Sequence, residues 1–189
     1  MWPEVRYNIQ MLDFMDPSQI IARLELREGM HVADFGCGSG HFTFAAARRV
    51  GHSGKVFAID VQKELLEQLA TKASNERVGA IKVIWGDFDE PRGSTLEDSS
   101  LDAVVVSNVL FQAEHREQLA SEVVRVLKPL GRVLVVDWSD SFGNMGPARE
   151  QVVTEEEARS LFLSATLEAE DSFPIGSHHY GLILKKPQL

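Results

Sequence analysis

Short runs of valine, isoleucine, leucine and alanine alternate along this chain with stretches whose apolar positions recur every three to four residues. The runs at residues 30–35, 55–60, 81–85, 101–107 and 132–137 carry few polar side chains, as strands covered on both faces do. Between them, residues 41–50, 63–75 and 115–127 have helical periodicity; in the last, Leu119, Val123, Val126 and Leu127 share one face. Lys128-Pro129-Leu130-Gly131 stops that helix and turns the chain into the next strand. Strand, helix, strand in repetition implies parallel pairing with right-handed crossovers, hence a doubly wound α/β sheet.

Two regions fall outside the alternation. Asp16 is placed to cap a helix that starts at Pro17 and runs through Ile20, Ile21 and Leu24. Residues 1–28 are therefore expected to form a helical segment that packs on the sheet or lids the site. Its aromatic side chains, Trp2, Tyr7 and Phe14, and Met15 suit either role. After the fifth strand, residues 139–153 read as a loop with Gly143, Asn144, Gly146 and Pro147. Thr154-Glu155-Glu156-Glu157 is a capping box for one more helix. Strands at 166–173 and 180–185 are separated by six residues, too few for a crossover, so they form an antiparallel hairpin. No repeat or interdomain linker interrupts this order, and residues 1–189 read as one domain with its core in 29–189.

Composition narrows the partners. Hydrophobic residues make up 44% and charged residues 25%, the balance of an ordinary globular domain. No stretch approaches the roughly 20 apolar residues of a membrane span. A net charge of −9 disfavours nucleic acid and anionic lipid, both of which demand a field of lysine and arginine. Here the adjacent basic pairs are Arg48-Arg49 and Lys185-Lys186, far apart in the chain. Cys37 has no disulfide partner within the chain, and Met1-Trp2-Pro3-Glu4 lacks the basic and apolar segments of a signal peptide. A cytoplasmic protein acting on a small molecule is expected. No histidine pair has metal-site spacing with a carboxylate or thiol partner, so no metal is expected.

The chemistry concentrates at Val32-Ala33-Asp34-Phe35-Gly36-Cys37-Gly38-Ser39-Gly40-His41-Phe42. A buried strand enters a glycine turn and a helix follows at once, so bare backbone and unpaired helix amides face any ligand there. The dinucleotide fingerprint G-x-G-x-x-G would place its third glycine at 41, where this chain has His41. Asp34 stands at the mouth of the turn. A carboxylate there repels a pyrophosphate but attracts an ammonium or sulfonium, which favours S-adenosylmethionine over NAD. Asp60 ends the second strand, about 20 residues on, where it can accept from both ribose hydroxyls. Asp87 follows the third strand, placed to accept from an adenine amino group, with Val61 or Phe88 flanking the ring.

These segments, together with Leu101-Asp102-Ala103-Val104-Val105-Val106-Ser107-Asn108 and Leu127-Lys128-Pro129-Leu130-Gly131-Arg132-Val133, resemble the ordered motifs of class I S-adenosylmethionine-dependent methyltransferases. The likeness is strongest to the small-molecule group that includes the ubiquinone/menaquinone-biosynthesis type. It implies a Rossmann-like seven-stranded sheet, mostly parallel with the last strand antiparallel. It also implies that Asp34, Gly36, Cys37, Gly38 and Gly40 face the methionine end of S-adenosylmethionine, Asp60 the ribose and Asp87 the adenine. Asn108 then holds the position that lines the cofactor near the reacting methyl. The tetrapeptide common in nucleic-acid amino-methyltransferases is replaced by Ser107-Asn108-Val109-Leu110, which points away from bases as acceptors.

The expected activity is methyl transfer to a small-molecule acceptor by in-line displacement. The sixth strand runs parallel to the first, so the hairpin turn lies on the same edge as the glycine turn. Ser177, His178, His179 and Tyr180 should border the cleft, facing Asn108, Phe111, Trp138, Ser139 and Asp140. His178 or His179 is the candidate to orient or deprotonate the acceptor. A regulator that binds the cofactor and transfers nothing shares every one of these features, and an NAD(P)-dependent oxidoreductase shares Asp60.

Overall fold

The computed structural model describes residues 16–142 and 146–188. A short helix α1 (Pro17–Ala22) precedes β1 (His31–Phe35), α2 (His41–Val50), β2 (Lys55–Asp60), α3 (Lys63–Asn75) and β3 (Ile81–Trp85). Then follow β4 (Leu101–Ser107), α4 (Arg116–Val126), β5 (Leu127–Trp138), α5 (Glu155–Ser164), β6 (Glu168–Ile175) and β7 (His179–Lys185). The seven strands form one sheet in the order β3-β2-β1-β4-β5-β7-β6. All neighbours pair in parallel except β7, which runs antiparallel to both β5 and β6. The strand order reverses between β1 and β4, and open sheets of this kind bind ligands at the carboxyl ends beside that point.

The expected alternation holds because β1 and β4 are buried on both faces. One apolar layer joins Ile21, Phe44, Leu69, Val105 and Val136 beneath α1, α2 and α3. The other joins Phe35, Val106, Leu119, Val123 and Phe162 beneath α4 and α5. Helix starts follow their caps. The Asp16 carboxylate accepts from Ser18 N–H ahead of Pro17, and Thr154 and Glu157 form the reciprocal capping box. One boundary differs: β5 begins at Leu127, directly after α4, and not at Arg132. The proline–glycine segment is a kink inside the strand. Leu127 pairs with Leu101, Leu130 takes φ +65 and donates its N–H to Lys186 O, and the register with β4 shifts before Ala103.

The described part of the expected lid lies on the sheet. α1 belongs to the apolar layer of α2, Arg23 pairs with Asp171 and stacks on Phe173, and Glu25 pairs with Arg132 near the amino ends of the strands. Trp2, Tyr7, Phe14 and Met15 lie outside the described residues. Among the described residues, no helix is long and apolar enough to cross a membrane.

Candidate active site

The glycine turn is tied to β2 before any ligand is considered. Gly36 and Cys37 both donate their N–H to Ile59 O, and Gly38 N–H donates to Asp60 Oδ2 at 2.9 Å. Asp60 Oδ1 accepts from Gln62 N–H at 2.9 Å. One carboxylate thus links two loops, and about two of its four lone-pair positions remain for a ligand. Gly36, Gly38 and Gly40 all have positive φ. A Cβ at Gly36 would stand 2.4 Å from Val109 Cγ2, so that glycine lets the β1 and β4 loops touch. A Cβ at Gly38 would meet nothing within 4 Å. Gly40 caps α2 in a left-handed conformation without a side-chain bond, which leaves the first helix amides for an anion, a carboxylate included.

Asp34 is deeper than its place in the sequence suggests. It is 2% exposed and accepts a hydrogen bond from Thr43 Oγ1 in α2. Burial pushes its carboxyl up to about 6 against the lowering effect of Thr43, and the charge of Asp60 adds to the rise. Thr43 was not singled out in the sequence, although a lone hydroxyl among Phe42, Phe44, Ala45 and Ala46 is the signal that could have found it. Burial and the same two acids push the Cys37 thiol up, so it stays protonated and takes no part as a nucleophile.

Around the rim, Asp87 Oδ1 accepts from Asp89 N–H, closing the turn after β3. Val61 is 38% exposed beside Asp60, free to flank a ring. Phe88 packs inward: it stacks on Phe35, centroids 4.2 Å apart, in the core layer beneath α4 and α5. Tyr180 packs inward as well. Alternation along β7 turns it away from the cleft side, where its hydroxyl donates to Val153 O. Asn108 sits after β4 with φ +56, and its Oδ1 is buried without a hydrogen-bond partner.

The carboxyl end of β5 and the amino end of the antiparallel β7 bring both candidate histidines together with partners the sequence did not pair. His178 Nδ1 donates to Asp140 at 2.8 and 3.1 Å, and its ring stacks on Phe142. His179 pairs with Trp138 across the β5–β7 ladder, rings 4.1 Å apart. Burial, helped by the neighbouring His178, pulls His179 down to about 4, so it is neutral throughout the physiological range.

Asp137 braces this edge from beneath. Fully buried, it accepts from Leu110 N–H at 3.0 Å and Trp138 N–H at 2.8 Å, pinning the loop after β4 to the end of β5. Burial pushes its carboxyl from 3.8 to about 7, against those amides. A raised carboxyl contributes stability that is complete below the unfolded value and is lost as pH rises through the folded one. Between pH 5 and pH 8 the stability difference between Asp137→Asn and the parent should therefore move by about 3 kcal/mol in favour of asparagine. Urea unfolding at the two pH values measures it, and Asp34 and His179 cancel in the difference. A constant difference would mean that Asp137 ionises as an exposed acid does.

Comparison with known proteins gives a consistent set. The model of a family described as a methyltransferase domain matches residues 26–178. Nocamycin O-methyltransferase of Saccharothrix syringae is 31% identical over 124 residues, covering 66% of this chain and 40% of that protein. The chloroplastic 2-phytyl-1,4-beta-naphthoquinone methyltransferase of Arabidopsis thaliana is 32% identical over 115 residues, 61% of this chain and 44% of that protein. This chain thus spans less than half the length of these curated relatives. A crystal structure of a SAM-dependent methyltransferase from Aquifex aeolicus superposes with a TM-score of 0.85 at 25% identity, covering 94% of this chain and 93% of that one.

Proposed function

The chain belongs to the methyltransferase-domain family, and from that premise we propose that it binds S-adenosylmethionine at the glycine turn and methylates a small-molecule acceptor. The observation that carries this reading is the open glycine turn over two carboxylates, with Gly38 bare to 4 Å and Asp34 and Asp60 beneath it. A pyrophosphate there would meet like charge; a ligand that carries an ammonium and a sulfonium, and no phosphate, meets opposite charge. Asn108 Oδ1, after β4, is a further acceptor left without a protein donor.

In this reading Asp60 takes the ribose hydroxyls on its remaining lone pairs, Val61 flanks the adenine, and Asp87 accepts from the adenine amino group. Asp34 acts through the turn and through its charge. When bound, the cofactor would supply an electrophilic methyl on a positively charged sulfur, with the neutral thioether as leaving group. The chain's own task is to hold the acceptor in line, about 3 Å from that methyl, and to exclude water. His178, held by Asp140, is the group placed to take a proton from the acceptor. The single cysteine and acidic balance suit the cytoplasm.

Calorimetry with S-adenosylhomocysteine and S-adenosylmethionine, set against NAD, tests the assignment. Each adenosyl ligand should bind, and at one hundred times its dissociation constant should add about 2.7 kcal/mol of stability. Stabilisation by NAD alone would replace this reading with a dehydrogenase. Binding without S-adenosylhomocysteine production from any acceptor in a metabolite pool would leave a cofactor-sensing protein.

A further inference from the structure

Among the described residues, three buried side-chain atoms lack a hydrogen-bond partner, and two of them belong to ring neighbours at the carboxyl edge: Trp138 Nε1 and His179 Nε2. A buried polar group left without a partner forfeits its hydration with nothing in return, and two on adjoining rings are not an accident of one rotamer. Trp138 is 1% exposed, and its position in β5 is fixed by the ladder to His179 and by the bond from its N–H to Asp137. Gly146, at φ +81, packs against the indole so closely that a Cβ would stand 2.8 Å from three of its ring atoms. A glycine at 146 is what lets the backbone approach the indole this closely.

Resting on the methyltransferase reading, we propose that Trp138 and His179 anchor the methyl acceptor by an uncharged oxygen, hydroxyl or carbonyl, and select against carboxylates and phosphates. Indole N–H only donates, so the ligand atom must accept. A neutral imidazole nitrogen either accepts a hydrogen bond from a hydroxyl or, in the other tautomer, donates one to a hydroxyl or carbonyl oxygen. Either arrangement satisfies an orphaned nitrogen with a neutral oxygen and needs no charge on the ligand. His179 stays uncharged because burial holds it near 4. The titratable groups facing it are His178 and Asp140, which hydrogen-bond to one another. No guanidinium or ammonium of the described residues pairs with this cluster, so an anion would enter with its charge uncompensated and with Asp140 nearby.

Titration of protein saturated with S-adenosylhomocysteine, using 1-naphthol and 1-naphthoate as probes, tests the pair. The neutral probe should bind at least tenfold tighter. Trp138→Phe, which keeps the ring and removes the donor, should weaken 1-naphthol about tenfold and leave S-adenosylhomocysteine affinity unchanged. His179→Phe should do the same, and His179→Gln, which keeps a polar atom, should recover most of the loss. Equal or tighter binding of 1-naphthoate, no binding of 1-naphthol, or an unchanged affinity in Trp138→Phe would each overturn the proposal. Failure of S-adenosylhomocysteine to bind counts against the cofactor reading alone. The same probe series on ligand-free protein then decides the anchoring pair independently.

Discussion

Replacing Gly38 with alanine is expected to cost adenosyl-ligand affinity at least about a hundredfold, roughly 2.7 kcal/mol, while lowering the melting temperature by only a few degrees. The added methyl meets nothing of the protein within 4 Å. Its conformational penalty at φ +48 is that of a single left-handed alanine, about 1–2 kcal/mol, or a few degrees for a domain of this size. The same methyl occupies the space through which the ligand must approach the backbone. Neighbouring glycines cannot make this distinction. Alanine at 36 would collide with Val109 Cγ2 at 2.4 Å and at 40 with Leu69 Cδ1 at 2.7 Å, so both would disturb the fold with the site. Calorimetry and thermal unfolding on Gly38→Ala separate the two effects. Affinity within threefold of the parent would mean that the cofactor does not pass over Gly38, and the proposed orientation would fail with it.

The strands were readable because β1 and β4, buried on both sides, spell themselves as apolar runs, and the hairpin because six residues cannot span a crossover. Asp16, Thr154 and Glu157 announced their helices through capping chemistry, which is local. What escaped depends on direction or register. Phe88 follows the turn at Gly86-Asp87, and no periodicity states to which side such a residue swings; the stack with Phe35 decides it. Tyr180 was grouped with His179 by proximity in the chain, yet alternation along β7 sends the two to opposite faces. Trp138 and His179 are 41 positions apart and meet only through the antiparallel β5–β7 register. The Asp34–Thr43 bond requires α2 to pack on β1 in one rotation. The cofactor half of the site is a string of local turns, and the acceptor half is assembled from distant strands. That contrast is why the sequence speaks more plainly of the first.

The two histidines differ in what they can do, and kinetics should divide them. His179 is too weak a base to remove a proton near neutral pH, since burial holds it near 4. His178 has Nδ1 engaged with the Asp140 carboxylate, which fixes the tautomer that leaves Nε2 with its lone pair outward. With an acceptor that must lose a proton, His178→Ala should lower kcat about a hundredfold, the low end of general-base contributions, with the KM for S-adenosylmethionine unchanged. Asp140→Asn should cost about tenfold, because an amide can still hold the ring but no longer dictates which nitrogen carries the proton. A purely structural hairpin contact would lower stability in both variants and leave kcat per folded molecule intact. Turnover within threefold of the parent in His178→Ala would mean that the acceptor arrives already deprotonated or loses its proton to water, leaving Trp138 and His179 as the polar contacts on the acceptor side.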